Sequence, residues 1–157
     1  MSFQISVIIP TYNCENSINR AINSVINQTI GFEEIEIIIV DNKSTDSTRD
    51  IINEYASKYD NIIPIFLKKN SGSPSSSRNI GIETAKSDYV MFLDSDDEYD
   101  LKICDKLFNS ISGDETLDFV CCGFQEESKD LNFNYGSSNF VKLENNIKLL
   151  NNLSKKK

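Results

Sequence analysis

One segment constrains the fold more than any other: Tyr89-Val90-Met91-Phe92-Leu93 runs straight into Asp94-Ser95-Asp96-Asp97. A short apolar run without polar alternation predicts a strand buried on both faces, as in a parallel sheet. The acids then stand at the strand's C-terminal end, where open α/β sheets bind their ligands. Carboxylates this close repel one another unless a cation or hydrogen-bond donors hold them. Oxygen-only ligands suit Mg²⁺ or Mn²⁺, and both commonly take a phosphate as a further ligand. The segment therefore points to a metal-dependent site for a phosphorylated ligand. The plain alternative is a solvated turn capping the next helix, but turns seldom follow a fully apolar strand with so many acids.

A chain of 157 residues fits one domain with a sizeable core. The balance of 16 basic against 24 acidic residues, a net charge of −8, argues against a nucleic-acid-binding surface. It also leaves an anionic ligand dependent on positive charge brought in from elsewhere. The absence of histidine excludes Ser-His-Asp and Cys-His catalysis and His-ligated zinc. Cys14, Cys104, Cys121 and Cys122 form no Cys-x-x-Cys pair, so they read as small buried apolar side chains. No basic region followed by an apolar run opens the chain, and no stretch is long enough to span a bilayer. The expected location is cytoplasmic, with work at the inner face of the membrane allowed.

Five apolar runs alternate with helical spacings. Ile5 to Ile9 predicts a first strand, ended by Pro10. Ile18, Ala21, Ile22, Val25 and Ile26 follow the template of an amphipathic helix, with Asn13 as its cap. Ile35 to Val40 predicts a second strand ending at Asp41. The Ser44-Thr45-Asp46-Ser47 segment offers caps to a helix using Ile51, Ile52, Tyr55, Ala56 and Tyr59. Ile62 to Leu67, with Pro64, predicts an edge strand or a strand beginning. Asn70 to Ser77 reads as a loop entering a helix that ends near Ala85. Tyr89 to Leu93 is the fourth strand. Ile103, Cys104, Leu107, Phe108 and Ile111 mark a fourth helix, and Leu117 to Cys122 a fifth strand. This alternation argues a doubly wound α/β sheet with right-handed crossovers. Beyond Gly123 the pattern weakens; Leu143, Ile147 and Leu150 fit one face of a last short helix, and three lysines end the chain.

In such a sheet Thr11-Tyr12-Asn13, Asp41-Asn42-Lys43 and Asp94-Ser95-Asp96-Asp97 share one crevice, because each follows a parallel strand. Neither Gly-x-Gly-x-x-Gly nor Gly-x-x-x-x-Gly-Lys occurs, so a dinucleotide fold and a P-loop are both disfavoured. Side chains and metal must hold the ligand in place of a glycine-rich cradle.

Four ordered segments carry a specific resemblance. Ser6-Val7-Ile8-Ile9-Pro10-Thr11-Tyr12-Asn13 resembles the opening of the family 2 glycosyltransferases, which have the GT-A fold. Val40 to Thr48 is similar to their second motif, and Ser77-Arg78-Asn79-Ile80-Gly81 to their Ala-Arg-Asn-x-Gly segment. Phe92 to Asp97 resembles their Asp-x-Asp motif. The resemblance implies a GT-A, Rossmann-like, mostly parallel sheet flanked by helices. It also implies inverting transfer of a sugar from a nucleotide diphosphate donor, usually UDP-linked, to a glycan or lipid-linked acceptor in polysaccharide biosynthesis.

Carried over by that resemblance, Pro10, Thr11 and Tyr12 line the base and ribose pocket, and the Tyr12 ring can cover the base. Asp41 and Asn42 stand at the second motif's polar pair; many members have Asp where Asn42 stands, and an amide both donates and accepts. Arg78 matches the arginine that reaches the nucleotide, a good partner for a diphosphate. Asp94 lies near the ribose, and Ser95 belongs to the same nucleotide-binding set. Asp96 is the main ligand of Mn²⁺ or Mg²⁺, with Asp94 and Asp97 as further ligands. The metal would act as a Lewis acid on the departing diphosphate.

The family's catalytic base is an acid in a later motif, and neither Glu126, Glu127 nor Asp130 matches it convincingly. The catalytic base is therefore unassigned. The expected organisation is a donor-binding α/β domain over residues 1–123, followed by an incomplete acceptor-side region or tail over 124–157. The chain reads as the donor half of a longer enzyme, truncated at its C-terminus. An apolar patch left by the missing half could drive self-association. Two other readings stay open: a non-catalytic nucleotide-sugar-binding module, and an aspartate-nucleophile phosphohydrolase built on Asp94-x-Asp96. The second usually has its motif after the first strand, whereas here it follows the fourth.

Overall fold

β1 (Ile5–Thr11) and β2 (Ile35–Asp41) are the spine of the molecule. Both are dominated by β-branched residues, which suit a pleated surface packed on two sides, and every residue of both is buried. A computed structural model describes residues 3–114 and 116–123. The chain divides into two compact units, Met1–Asn109 and Ser110–Lys157. The first holds a parallel sheet of order β3-β2-β1-β4, with β3 at Ile62–Phe66 and β4 at Val90–Phe92. Register runs from Ile5 opposite Ile35 to Thr11 opposite Asp41, so the two central strands end at the same level.

Alternation along the strands sorts the helices onto two faces. Ile5, Val7, Ile9, Ile35, Ile37 and Ile39 form one core with α1 (Ile18–Ile26), α2 (Thr48–Lys58) and the first turns of α4 (Ile103–Ser112). Ile8, Ile38 and Val40 pack on the other face with Ile80 and Ala85, where α3 (Pro74–Thr84) lies. Each isoleucine so buried is worth about 1.5–3 kcal/mol in transfer free energy. The expected amphipathic spacing of α1 holds, with Ile18, Ala21, Ile22 and Val25 all inside. Pro64 does lie on an edge strand, opposite Ile39.

One polar pair breaks the apolar pattern of the spine. Glu36 and Ser6, opposite each other in register, are fully buried. The Ser6 hydroxyl donates to Glu36 Oε1 at 2.7 Å, and the Lys86 amide donates to the same oxygen at 2.6 Å. They fix the chain just after α3 against the sheet.

Four expectations need correction. The run before Asp94 is not buried on both faces: β4 makes only three rungs with β1 at the sheet edge, and Phe92 is 46% exposed. Asn13 does not cap α1: the residue at that position is Ser17, whose hydroxyl caps no helix amide and donates instead to the Cys14 carbonyl at 3.4 Å, while the Asn13 side chain is engaged elsewhere. Residues 117–122 form no strand. The Leu117 amide turns back to the Asp114 carbonyl at 3.0 Å, and a short apolar run pairs only where a ladder is offered. Cys121 and Cys122 are accordingly exposed and Cys14 half-buried, leaving Cys104 as the one cysteine of the described residues that fits the buried reading. The expected last helix at Leu143, Ile147 and Leu150, and the acids Glu126, Glu127 and Asp130, lie outside the described residues. Among the described residues no helix is long and apolar enough to cross a membrane.

Gly81 sets how closely α3 lies on β1. A Cβ added there would stand 2.4 Å from Cγ2 of Ile8, a fully buried side chain with no room to yield. Gly81→Ala should therefore destabilise the fold by about 1–3 kcal/mol, the usual cost of overpacking. Urea unfolding followed by circular dichroism would show it as a lower midpoint at unchanged slope; an unaltered midpoint would mean that α3 shifts freely.

Candidate functional site

A cleft of about 430 Å³ opens at the C-terminal ends of β1, β2 and β4. Its lining brings together Pro10 and Thr11 at the end of β1 with Tyr12 just beyond it, Asn42 after β2, and Asp94, Ser95 and Asp96 after β4. Pro74, Ser77 and Arg78 reach it from α3, and Asn70, Gly72 and Ser73 close it from the loop before that helix. Segments far apart in sequence meet here because parallel strands deliver all their C-terminal ends to one side.

Tyr12 is 51% exposed, so its ring stands open to the cleft and is not consumed in packing against α1. Arg78 donates from Nη2 to Asp94 Oδ1 in a short ion pair at the cleft wall. Asp96 also faces the cleft, whereas Asp97 does not line it; its amide donates to the Asp94 carbonyl at 3.1 Å and closes the turn. Among the described residues no three His, Cys, Asp or Glu side chains converge into a ready-made metal cage. A hard cation such as Mg²⁺ is commonly bound by one or two carboxylates plus substrate phosphates, and Asp94 with Asp96 fits that donor set.

Asp41 lies beneath the cleft. It is fully buried and absent from the cleft lining. Its carboxylate accepts from the Ser44 amide at 3.1 and 3.3 Å and from Arg49 Nε at 2.5 Å, with the Thr11 hydroxyl at 3.5 Å. It shapes the floor of the site from below. Arg49 also donates to the Leu67 carbonyl at 3.0 Å and lies 5.3 Å from the Phe66 ring centroid. Sequence reading missed Arg49; the available signal was a cation in the first turn of the helix that follows a strand-end acid.

Asn42 is also largely occupied. Its Nδ2 donates to Asn70 Oδ1 at 3.2 Å, and its Oδ1 accepts from the Ser71 amide at 2.9 Å and the Ser71 hydroxyl at 3.1 Å. Asn70 Oδ1 accepts in addition from the Gly72 amide at 2.7 Å, where φ is +73°. Asn42 thereby fixes the loop that forms one wall. Asn70 and Ser71 were missed because a polar stretch carries no periodicity.

The loops after β1 and β2 are laced together. The Asn13 amide donates to Ser44 Oγ at 2.8 Å and the Thr45 amide to Asn13 Oδ1 at 2.8 Å. The Cys14 amide donates to Thr48 Oγ1 at 2.9 Å, the Glu15 amide to Asp46 Oδ2 at 3.2 Å and the Ser47 amide to Glu15 Oε2 at 2.8 Å. Asp46 also accepts from the Thr48 amide at 3.1 Å, as a residue at the start of α2 should. Asn13 (φ 48°) and Lys43 (φ 66°) adopt left-handed backbone here, a conformation that such cross-bonding can hold. Burial raises the Cys14 thiol, against hydrogen bonds from Ser95 and Thr48 that pull it down. Burial alone pushes Cys104 up to about 12.

The family model of glycosyl transferase family 2 matches residues 6–157. A poly(ribitol-phosphate) beta-glucosyltransferase of Bacillus spizizenii is 49% identical over 94 residues, covering 60% of this chain and 15% of that protein. The minor teichoic acid biosynthesis protein GgaB of Bacillus subtilis is 48% identical over 96 residues, 61% of this chain and 11% of that protein. Among solved structures, residues 1–349 of Staphylococcus aureus TarS in complex with UDP superpose with a TM-score of 0.66 at 35% identity, covering 71% of this chain and 32% of that one. The chain thus spans only a small part of the length of these curated relatives.

Two outcomes follow from this geometry. Arg49→Met strands the buried Asp41 charge and should cost about 2–4 kcal/mol, slightly under a fully buried pair because Arg49 keeps 33% of its side chain exposed. Denaturant unfolding checks it, and a loss below about 0.5 kcal/mol, the range of ordinary surface changes, would refute the anchoring role. Alkylation at pH 8 should modify Cys121 and Cys122 first and Cys104 only on unfolding. Equal rates at Cys104 and Cys121 in the native chain would contradict the buried placement.

Proposed function

The chain belongs to glycosyl transferase family 2, and from that premise we propose that it forms the donor-binding part of an inverting, metal-dependent glycosyltransferase whose donor is a UDP-linked sugar. The observation that carries the reading is the convergence of Tyr12, Asn42, Arg78, Asp94, Ser95 and Asp96 on one cleft. A nucleoside diphosphate needs a flat apolar surface for its base, polar groups for its ribose and positive charge for its phosphates. Tyr12 offers the first, Thr11, Asp94 and Ser95 the second, and Arg78 part of the third.

In an acidic protein one arginine leaves a diphosphate under-neutralised, which is where a cation enters the reading. Asp96, with Asp94, would hold Mn²⁺ or Mg²⁺, and Asp97 would serve as an outer ligand. When bound, the cation supplies Lewis-acid stabilisation of the leaving diphosphate. The protein's own residues do the rest: Arg78, oriented by Asp94, aims its guanidinium along the cleft, and Asn42 holds the wall formed by Asn70 to Ser73. In inverting transfer an acceptor hydroxyl attacks the anomeric carbon as the bond to the diphosphate breaks, and a base removes the hydroxyl proton. No described residue is assigned that base.

The acceptor we propose is a glycan or lipid-linked polymer of surface polysaccharide assembly, worked on at the cytoplasmic face of the membrane. The names of the curated relatives, with poly(ribitol-phosphate) and teichoic acid among them, support that class. The bound UDP in the TarS structure supports the base.

Calorimetric titration of UDP tests the site. With Mn²⁺ the chain should bind, EDTA should abolish most of the affinity, and Asp96→Asn should do the same with Mn²⁺ present. Equal affinity in EDTA and in the variant would refute the metal-assisted site. Binding of GDP in place of UDP would retain the reaction class and move the donor base.

A further inference from the structure

Outside the cleft, one side of α1 is polar for a reason that the core does not explain. Arg20 and Ser24 of α1, and Gln28 just beyond its end, follow one another at four-residue spacing and so lie along one stripe. Each grips the acidic turn or the segment that follows it. Arg20 Nη2 donates to the Asp96 carbonyl at 2.7 Å, with its Nε 3.7 Å from Glu98 Oε2. The Ser24 hydroxyl accepts from the Tyr99 amide at 3.0 Å while donating to the Ala21 carbonyl at 2.7 Å. Gln28, buried, donates to the Asp100 carbonyl at 2.8 Å and accepts from the Cys104 amide at 3.0 Å. The Thr29 amide adds a bond to the Leu101 carbonyl at 2.9 Å. Finally, Tyr99 donates its phenol to the Phe92 carbonyl at 2.7 Å, tying the two ends of the turn together.

The turn Asp94 to Asp97 leaves a three-rung edge strand and carries mutually repelling acids, so β4 alone is a poor anchor for it. Two arginines hold it from opposite sides: Arg78 through the Asp94 carboxylate on the cleft wall, Arg20 through the Asp96 carbonyl on the α1 side. Because Arg20 takes only the carbonyl, the Asp96 carboxylate is left for the cleft. We infer that Arg20, Ser24 and Gln28 are positioning residues that hold the acidic turn in register with the cleft, so that ligand affinity depends on a stripe that never touches the ligand. None of the three lines the cleft. The consequence for ligand rests on the donor-site reading above; the hold on the turn does not.

Amide hydrogen exchange of the chain, without ligand, tests the hold directly. In Ser24→Ala and in Arg20→Gln, amides of residues 94–101 should exchange about tenfold faster, the effect of one lost hydrogen bond, while β1 and β2 amides keep their rates. Arg20→Lys, which retains a donor, should restore slow exchange. The dissociation constant for UDP with Mn²⁺ should rise by about the same factor in Ser24→Ala, and much less in Arg20→Lys. Unchanged exchange in residues 94–101 overturns the proposal. So does faster exchange with unaltered UDP affinity, which would make the stripe merely structural. Should Ser24→Ala accelerate exchange throughout the sheet, exposed Arg20→Gln decides alone. If the unsubstituted chain binds no UDP, the donor reading fails, and the exchange rates still decide whether the stripe holds the turn.

Discussion

The buried carboxylate of Asp41 is the point on which the site end of the molecule depends. A charge at zero exposure is tolerated only when surrounded by donors, and here Arg49, the Ser44 amide and the Thr11 hydroxyl surround it. Those partners come from α2, from the loop after β2 and from the end of β1. One side chain therefore fixes where the two central strands stop and where the next helix starts. The lacing of Asn13, Cys14 and Glu15 to Ser44, Asp46, Ser47 and Thr48 extends the same lock outward. Tyr12 is presented to the cleft from a loop that has little freedom to move.

The remaining walls are set by two simpler devices. Gly81 lets α3 press against Ile8, which brings Ser77 and Arg78 to the cleft edge. The Arg-Asn-x-Gly segment thus combines a packing requirement and a charge in one turn of helix. The acidic turn after β4 needs more support, because its strand is short and at the sheet edge. Arg78 and the polar stripe of α1 supply that support from opposite sides.

Much of this was legible in the sequence where a repeating pattern or a strand end carried it. The isoleucine- and valine-rich runs, each broken by a single polar residue (Ser6, Glu36), announced β1 and β2, and the spacing of Ile18 to Val25 announced α1. Placing Thr11-Tyr12, Asn42 and Asp94 to Asp96 in one crevice needed only the rule that parallel strands share a C-terminal side. What escaped depended on partners distant in sequence. Nothing local says that Asp41 turns down to Arg49 or that Asn42 turns to Asn70 and Ser71. Whether an apolar run is a central or an edge strand depends on its neighbours, so Tyr89 to Leu93 looked more buried than it is. Leu117 to Cys122 had strand composition without a ladder to join. Asn13 had the chemistry of a cap, and a left-handed backbone aimed it at the neighbouring loop.

The crevice at the strand ends, read as a nucleotide site, must take up a nucleotide as no solvent-filled gap would. Two-dimensional amide NMR of the chain during titration with UDP and Mg²⁺ tests it most directly. Shifts should be confined to residues 10–12, 42, 70–78 and 94–96, with the sheet interior and the far side of α1 unmoved. Shifts centred elsewhere, or none at saturating nucleotide and metal, would contradict it.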